Sequence, residues 1–261
     1  KHIFSAKDRM RHLQLCDQMK IKRLIRKVLE SVGVELHPKA LNSTYSIVKR
    51  TIAGTDREIV RRYFDSEVVR RLHIGCGDNR LNGWLNSDWH PSSPEVLHLD
   101  ACVTFPFGAE AFDYVFSEHM IEHISYAQGK DMLRECFRVL KPMGKLRVAT
   151  PDLKFLIELY ALTKSKRQEE YIRWATDIYI TGCSGYEDTF VINNFVRNWG
   201  HQFIYDEKVL RDSLQQAGFS DITSRALCES DDANLCNLEN TKRMRREYIE
   251  LETFILEGTK R

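Results

Sequence analysis

The stretch that most constrains the fold is Arg70–Leu81, with the sequence RRLHIGCGDNRL. Its apolar run, Leu72–Ile74, meets the turn Gly75-Cys76-Gly77, and the polar residues after the turn cannot continue a strand. This order predicts a buried strand that ends in a glycine turn, where the backbone can approach a ligand closely. A bare Gly-x-Gly is equally typical of an ordinary tight turn, so the choice between the two depends on the residues downstream.

Four further short apolar runs lie downstream, and each leads into polar residues at its C-terminal end. They are Trp84–Asp88, Val96–Asp100, Phe112–Phe116 and Leu146–Ala149. The first two close on an aspartate, and the third leads into Ser117-Glu118-His119. Such a pattern is typical of an open parallel sheet, which binds ligands in the crevice outside the carboxyl ends of its strands. The sequence therefore predicts an α/β protein with a ligand site at that edge.

The connection between the first two predicted strands is short. Only Asp78–Gly83 remain for it, whereas a parallel crossover normally takes a dozen or more residues. Six extended residues reach roughly 20 Å, just enough to return along a five-residue strand of about 17 Å. We therefore expect the first crossover helix to be lost or cut to a single turn. Arg80 also stands where a dinucleotide-binding loop has its third glycine, which counts against NAD as a ligand.

From about residue 70 to residue 260 the chain resembles the class I S-adenosylmethionine (SAM)-dependent methyltransferases. The similar segments, in the family's order, are LHIGCG, WLNSDWH, HLDA, FDYVFSEHMIEHI, RVLKPMGKLRVATPDL and GHQFIYDEKVLRDSLQQAGF. They are most similar to the small-molecule branch, which includes members encoded beside glycosyltransferases in bacterial polysaccharide clusters. The resemblance implies SAM as the cofactor and a Rossmann-like, seven-stranded, mostly parallel sheet with its last strand antiparallel. In this chain the first crossover helix would be shortened and an N-terminal helical extension added.

The resemblance places the SAM site around the first four strand ends. Its residues would be His73, Gly75, Cys76, Gly77, Asp88, Trp89, Asp100, Ala101, Ser117, Glu118 and His119. A carboxylate at Asp88 can accept both hydroxyls of a ribose in a charge-assisted contact, and Trp89 can stack on adenine. Asp100 and the amide of Ala101 would contact the adenine ring. The alternatives are turn carboxylates that only face solvent and a tryptophan at the edge of the core.

Three residues are candidates for the chemistry on the acceptor. By the resemblance, His201 would take the acceptor proton, because a histidine that titrates near neutrality can act as a general base. His123 is the second candidate for this task. Asp152, which follows the fifth strand, either lines the acceptor pocket or caps the next helix. For His201 the alternative is a structural role, in which its hydrogen bonds fix a lid.

His119, Glu122 and His123 would share one face if their segment is helical. Three interpretations remain open: contacts to cofactor and substrate, histidines bonded to backbone, and a divalent metal site. Because only His-x-x-Glu-His is present, no metal is predicted.

The predicted organisation is an N-terminal helical extension over residues 1–54 and a methyltransferase domain over residues 55–261. Residues 8–32 have apolar positions at helical spacing between lysines and arginines, which predicts a helix with a basic face. This helix would pack on the domain or on a second subunit, or would contact anionic lipid weakly. Pro38–Ser46 is predicted as a linker. Residues 154–200, rich in aromatic residues in their second half, are predicted as a lid over the acceptor, with a purely structural cluster as the alternative.

Composition excludes several classes of protein. No apolar run approaches the roughly 20 residues that span a bilayer, and no signal peptide is recognised. The seven cysteines include no CxxC pair, so we expect a reducing, cytoplasmic environment. Residues 1–27 hold nine basic and two acidic residues, which leaves the rest of the chain mildly acidic and argues against nucleic acid as a partner. A homo-oligomer is left open.

The sequence thus predicts a methyltransferase that acts on a hydroxyl of a small or glycan-type acceptor by in-line displacement, as in polysaccharide biosynthesis. Transfer to the amine of a small molecule or amino sugar remains open, and so does a SAM-binding subunit without activity. Methylation of nucleic-acid amino groups is disfavoured because SEHM stands where those enzymes carry Asn/Asp-Pro-Pro-aromatic. The absence of Pro-Cys disfavours cytosine C5 chemistry, and an NAD-dependent oxidoreductase is the least favoured alternative.

Overall fold

The structure, a computed structural model, describes residues 22–24, 27 and 38–261. The chain divides into two compact units, one that ends at Arg61 and one that runs from Arg62 to Arg261. Residues 22–24 and 27 are helical, and the rest of the helix predicted over residues 8–32 lies outside the described residues. Its predicted contact with a membrane surface or a second subunit therefore stays a prediction.

The first unit contains helix α1 (Pro38–Ala53) and the start of helix α2 (Thr55–Ser66). The linker predicted over Pro38–Ser46 is wrong, because these residues open α1. Proline is well suited to the first position of a helix, where its missing N–H has no partner to lose. Gly54, with φ of +65°, separates the two helices.

The second unit is built on seven strands. They are β1 (Arg71–Ile74), β2 (Leu85–Asp88), β3 (Leu97–His98), β4 (Phe112–Glu118), β5 (Leu140–Pro151), β6 (Ser220–Arg225) and β7 (Thr253–Thr259). Their order in the sheet is β3-β2-β1-β4-β5-β7-β6. Strands β1 to β5 pair in parallel, and β7 runs antiparallel to both of its neighbours. The predicted Rossmann-like fold is therefore confirmed, including its antiparallel last strand.

The strand order reverses between β1 and β4. At such a switch point the connections from two neighbouring strands leave in opposite directions and open a crevice above their carboxyl ends. The ends of β1, β2 and β4 thus come together at one edge of the sheet, where the sequence predicted the ligand site.

The short first crossover is also confirmed, since residues 75–84, all of which are described, contain turns and no helix. The side chain of Asn86 takes the place of a helix in holding this loop. Its Oδ1 accepts from Leu81 N at 2.9 Å, and its Nδ2 donates to Leu81 O at 2.9 Å and to Trp84 O at 3.1 Å. Backbone groups that a helix would have satisfied internally are therefore bonded to one side chain on β2.

Six further α-helices surround the sheet, and two short 3-10 turns, Ile121–His123 and Ala233–Leu235, interrupt its connections. The helices are α3 (Tyr126–Val139), α4 (Leu153–Leu159), α5 (Lys166–Tyr179), α6 (Asp188–Arg197), α7 (Glu207–Ala217) and α8 (Arg246–Glu252). Helix α3 begins in a capping box between Ser125 and Gln128 and buries an apolar face that includes Met132, Leu133 and Cys136. Such a face at helical spacing packs the helix on the sheet.

Helices α4, α5 and α6 occupy the insertion predicted over residues 154–200. With Tyr248 of α8 they form a second hydrophobic core, in which Phe155, Leu159, Tyr171 and Phe195 are buried. The rings of Phe155 and Tyr171 meet edge to face at 5.1 Å, a favourable aromatic geometry. This core fixes the insertion beside the carboxyl end of β5.

Among residues 22–24, 27 and 38–261, no helix is both long enough and apolar enough to span a membrane.

Candidate active site

A cavity of about 630 Å³ opens at the carboxyl ends of β1, β2 and β3. Seven of the eleven residues predicted for the SAM site line it: Gly75, Gly77, Asp88, Trp89, Asp100, Ala101 and His119. Its volume lies in the range of small-molecule and cofactor pockets. We call it the first cavity.

The glycine turn forms the floor of the first cavity. Gly75 has φ of +70°, and a Cβ atom there would overlap the side chain of Met120, 2.7 Å from its Cβ. Gly77 has φ of +49°, and its Cβ would meet nothing within 4 Å. The first glycine is therefore required by the close approach of Met120, and the second leaves the backbone bare toward the cavity.

Asp88, at the end of β2, ties the turn to the neighbouring strand. Its Oδ2 accepts from Gly77 N at 2.9 Å, and its Oδ1 accepts from His90 N at 2.7 Å. A carboxylate has about four lone-pair positions, so both oxygens keep acceptor capacity toward the cavity. Asp100 is held in a similar way, with Oδ1 accepting from Cys102 N at 2.8 Å. The chemistry of this set, two carboxylates and bare glycine backbone, fits an adenosyl group with ribose hydroxyls and an exocyclic amine.

Trp89 stands at the wall of the first cavity with 47% of its surface exposed. Its ring lies 5.2 Å from that of His98 in a tilted arrangement. One face of the indole is thus supported by the protein while much of the ring faces solvent, which suits a stacking surface.

The structure places the other four predicted SAM residues elsewhere. His73 is buried in β1, where its Nδ1 pairs with Asn86 Oδ1 at 3.2 Å and its ring lies 4.9 Å from Phe116. Burial lowers the pKa of His73 to about 4, although Asn86 and Asp88 oppose the shift. Cys76 and Ser117 are also buried. None of these three side chains, nor that of Glu118, lines the first cavity as the described residues form it.

Glu118 instead anchors a distant loop. Its two carboxylate oxygens accept from Asn240 N, each at 3.0 Å, and Oε2 also accepts from Asn79 Nδ2 at 3.2 Å. Burial raises the pKa of Glu118, although the Asn240 amide and the Arg243 charge oppose this. The partners lie 122 and 39 residues away along the chain, so sequence reasoning had no signal for this role.

A second cavity of about 230 Å³ lies beside the first, toward the insertion. Four aromatic side chains line it, Tyr171, Tyr179, Phe195 and Trp199, together with the charged or titratable residues His119, Glu122, His123, His201, Arg243 and Glu252. His119 and His123 line both cavities. The segment between β4 and α3 is therefore the wall that the two cavities share.

His201 is brought to this wall by backbone hydrogen bonds. The amides of Gln202 and Phe203 donate to Glu122 O at 2.7 and 3.2 Å, and Gln202 Nε2 donates to His123 O at 2.8 Å. These bonds lay residues 201–203 along residues 122–123, and the ring centroids of His123 and His201 are 4.9 Å apart. Two predicted catalytic histidines from distant parts of the sequence are thereby neighbours.

The imidazole of His201 is oriented by one bond. Its Nδ1 lies 2.6 Å from Phe195 O, so Nδ1 carries the proton and donates, and Nε2 is left with a lone pair. Burial lowers the pKa of His201, although Glu122 and the bond to Phe195 oppose this. A neutral histidine with an open acceptor nitrogen therefore faces the second cavity.

Glu122 is fully buried at the centre of this group. Its Oε2 accepts from Thr150 Oγ1 at 3.2 Å, while Oε1 lies 3.4 Å from His119 Nδ1 and 4.0 Å from His123 Nε2. Burial opposes ionisation, but His119 and His123 outweigh it and hold the pKa of Glu122 below its ordinary value. The sequence motif contained this residue without assigning it a role.

Arg243 fixes the ring of His119. Its Nη2 donates to His119 Nε2 at 2.6 Å, and Thr253 Oγ1 lies 2.8 Å from the same nitrogen. With Nε2 accepting, Nδ1 is the protonated nitrogen and points toward Glu122. Arg243 comes far downstream of the histidine motif, and no pattern in the sequence connects the two.

Asp152 lies apart from both cavities. Its carboxylate caps α4, with Oδ1 accepting from Lys154 N at 2.9 Å, and it faces a separate cleft with Asp206 and Lys208. The structure therefore supports the helix cap, the alternative to an acceptor-pocket role.

The segment that supplies most of the first cavity is similar to a known family. Residues 81–148 match the family model described as a methyltransferase domain, a span that contains Asp88, Asp100, His119 and His123. This match confirms the predicted enzyme class, a SAM-dependent methyltransferase, and with it SAM as the cofactor. No curated protein matches the chain.

Several solved structures are similar in fold to the chain. One is a SAM-dependent methyltransferase from Archaeoglobus fulgidus, with 15% identity over 83% of this chain and 99% of that chain and a TM-score of 0.46. Another is a possible histamine N-methyltransferase from Thermotoga maritima, with 15% identity, coverage of 84% and 98%, and a TM-score of 0.42. A third is a phosphoethanolamine N-methyltransferase from Haemonchus contortus, with 16% identity, coverage of 79% and 52%, and a TM-score of 0.39.

Proposed function

We propose that the chain transfers a methyl group to a hydroxyl of a small or glycan-type acceptor, as in the branch of the family associated with polysaccharide synthesis. The observation that carries the proposal is the pair of cavities with one shared wall, formed by His119 and His123. A ligand in each cavity would contact the same two histidines, so the two ligands would lie next to each other. Holding two reactants in line can supply up to about 7–11 kcal/mol of the barrier in favourable cases.

In this proposal the first cavity holds SAM, which supplies a methyl group on a positively charged sulfur. Asp88 accepts from the ribose hydroxyls, and Asp100 with the amide of Ala101 receives the adenine ring. Trp89 covers that ring from the open side. The bare backbone at Gly77 lets the cofactor lie against the turn, because no side chain stands between them.

The second cavity holds the acceptor. Its volume of about 230 Å³ suits one ring-sized group at a time, with the remainder of a longer acceptor outside. Trp199 is 46% exposed and meets Tyr179 edge to face at 5.1 Å, so it offers an amphipathic face for a sugar or another ring. Residues 154–200 supply all four aromatic side chains at the second cavity, which supports the proposed lid role of the insertion.

The acceptor hydroxyl gives up its proton to a residue of the group formed by Glu122, His123 and His201. His201 is the first candidate to receive it, since Nδ1 is committed to Phe195 O and Nε2 is an acceptor. His123, which lines both cavities, is the second. Glu122 stabilises a positive charge on either imidazole because its buried carboxylate is ionised.

An amine acceptor is the second candidate function. The aromatic rings and the side chains of Glu122 and Glu252 would also attract a cation, and both glutamates are buried at the second cavity. An amine must lose its own proton before it attacks, and after that it needs no base.

The proposal is tested with SAM labelled in its methyl group and a panel of matched acceptors. The panel pairs simple sugars and nucleotide sugars with their amino-sugar counterparts, and products are identified by mass and by the bond formed. We expect label on a hydroxyl oxygen. Label on nitrogen alone would favour the amine function, and SAM binding without transfer to any member would favour a subunit without activity.

A further inference from the structure

We infer that Glu122, His123 and His201 form a binding site for one divalent transition-metal ion, with Zn²⁺ the ion that the ligands suit best. One ligand atom from each of these residues lies within 4.8 Å of the other two, in the part of the chain that the structure describes. Two imidazoles and one carboxylate are a ligand set that leaves coordination positions open.

The first argument is the state of Glu122. Its side chain is wholly buried, and Oε1 has no well-aligned hydrogen bond to any described residue. The contact from His119 Nδ1 to Oε1 is long, at 3.4 Å, so this buried carboxylate oxygen is poorly satisfied, which costs free energy. A cation at this point would satisfy it. The other oxygen is oriented by Thr150 Oγ1, as the outer oxygen of a metal-binding carboxylate commonly is.

The second argument is the orientation of His201. Metal-binding histidines usually donate the N–H of their other nitrogen to a backbone carbonyl or a carboxylate, which fixes the ring and its tautomer. His201 does this, with Nδ1 donating to Phe195 O at 2.6 Å. Its Nε2 is therefore presented to the cavity as a lone pair.

The third argument is the distance between the ligand atoms. Zinc ligands lie about 2.0–2.2 Å from the ion, so two of them at a tetrahedral angle are about 3.4 Å apart. Starting from separations within 4.8 Å, side-chain movements of about 1 Å bring the three atoms to an ion. The half-exposed ring of His123, with 37% of its side chain accessible, has room to make such a movement.

The surrounding charges are compatible with a cation. The positive charge beside the group is that of Arg243, and its Nη2 lies 3.3 Å from Glu252 Oε1 and is bonded to His119 Nε2. Glu252 is itself buried and accepts from Tyr171 Oη at 2.6 Å. The charge of the guanidinium is therefore balanced by the Glu252 carboxylate.

An ion at this place would have its open position toward the second cavity. A hydroxyl bound there loses its proton to water more readily, because a bound cation lowers its pKa. In that case His123 and His201 are ligands, and the ion replaces a free imidazole in making the hydroxyl nucleophilic. This catalytic role rests on the proposed function, whereas the binding of the ion does not.

The test is metal binding by the whole chain, purified and freed of metal with a chelator. Co²⁺ serves as the probe because its visible absorption reports its coordination, and Zn²⁺ serves as the competitor. We expect one Co²⁺ per chain with an absorption band that Zn²⁺ abolishes. A wild-type chain that takes up no Co²⁺ would overturn the inference and leave the methyltransferase proposal in place.

Variants give the matched controls. Glu122→Gln and His201→Asn should each weaken Zn²⁺ binding roughly a hundredfold or more, since even the loss of an outer partner costs 10–100-fold. Glu122→Gln should keep its affinity for SAM, which also shows that it folds. Asp88→Ala should do the reverse, losing SAM and keeping the ion. Unchanged Zn²⁺ affinity in both cluster variants would assign the ion to other residues and refute this site.

Discussion

At the scale of single residues, Asp88 both holds the glycine turn in place and faces the first cavity. Its two hydrogen bonds join the turn to the residues after β2, so the carboxylate is fixed before a ligand arrives. A group positioned in this way loses little entropy on binding. The same reasoning applies to Asp100 at the next strand.

Asp88→Ala should therefore weaken SAM binding. Charge-assisted hydrogen bonds are worth about 1.5–3 kcal/mol each, so we expect the Kd for SAM to rise roughly thirtyfold or more. Calorimetric titration measures this directly. Asp131→Ala, which removes an exposed aspartate paired with Arg134 on α3, is the matched control and should bind SAM as the wild type does. A wild-type Kd in Asp88→Ala would show that the ribose contact is wrongly assigned.

His201 can be tested with two substitutions that separate its two candidate roles. His201→Ala should leave the affinity for SAM nearly intact and slow methyl transfer roughly a hundredfold or more. His201→Asn keeps a side-chain N–H that can reach Phe195 O but has no acceptor nitrogen in the cavity. If the asparagine variant is as slow as the alanine variant, methyl transfer requires the Nε2 atom of His201. Recovery of activity in the asparagine variant would mean that His201 only fixes the insertion.

His73 should make the protein sensitive to acid. Its pKa is about 4 in the folded chain, against 6.5 for an ordinary histidine, so the unfolded chain binds the proton more readily. Stability contributed by neutral His73 is present above about pH 6.5 and is lost as the pH falls from about 6.5 to 4, by roughly 3 kcal/mol in total.

His73→Phe keeps a ring between Trp84 and Phe116 and removes this titration. The difference in unfolding free energy between the wild type and the variant should change by up to about 3 kcal/mol over that pH range, as measured by urea denaturation. Affinity for SAM should stay the same, because His73 lies outside the first cavity. Parallel pH dependence in the two proteins would contradict the burial argument.

The predicted SAM residues that line the first cavity are those at the very ends of strands or just beyond them. Gly75, Gly77, Asp88, Asp100 and His119 stand where an open parallel sheet exposes its carboxyl edge, and the structure brings them together. His73 and Ser117 lie one residue or more inside the strands, where a side chain points into the core. A run of apolar residues does not show at which residue the strand leaves the sheet. The sequence therefore could not distinguish side chains that face the cavity from those, such as His73 and Ser117, that point into the core.

At the scale of elements, the turn after β1 depends on one glycine more than on the other. Both glycines have positive φ, but only at Gly75 would a methyl group overlap a neighbour, the side chain of Met120. Left-handed backbone costs an alanine about 1–2 kcal/mol, and overlap in a packed place costs a further 1–3 kcal/mol, roughly.

Gly77→Ala should therefore destabilise the protein by about 1–2 kcal/mol and Gly75→Ala by roughly 2–5 kcal/mol, measured by urea denaturation. In a Met120→Gly background, which removes the Cβ of Met120 as well, the extra cost at Gly75 should disappear and leave the two glycines alike. If the two alanine substitutions destabilise the otherwise wild-type protein equally, the Met120 side chain moves aside with no loss of stability, which would contradict this prediction.

The loss of the first crossover helix could be predicted because it depends on chain length alone. Six residues cannot form a helix and also return along a strand, whatever their identity. Helix α1 could not be predicted for the opposite reason, since it depends on the position of one residue. Pro38 is typical of a linker, but proline is also common at the first position of a helix.

At the scale of the whole molecule, the second unit has one sheet with hydrophobic clusters packed on it. A separate hydrophobic core, the second core, lies within the insertion. The second cavity lies where the aromatic side chains of the second core, such as Tyr171 and Phe195, approach the histidines after β4. The aromatic residues of the insertion are visible in the sequence, and they led to the prediction of a lid. The sequence could not predict that Arg243 and Glu252 complete the cavity, because they come from the loop and helix before β7.

The most direct test of this account is a crystal structure of the chain with S-adenosylhomocysteine, the product that SAM leaves after transfer. We expect the ligand in the first cavity, with its ribose hydroxyls on Asp88, its adenine beside Asp100 and Trp89, and its sulfur toward His119 and His123. A ligand bound at any other place, or a first cavity that stays empty at saturating ligand, would contradict the account.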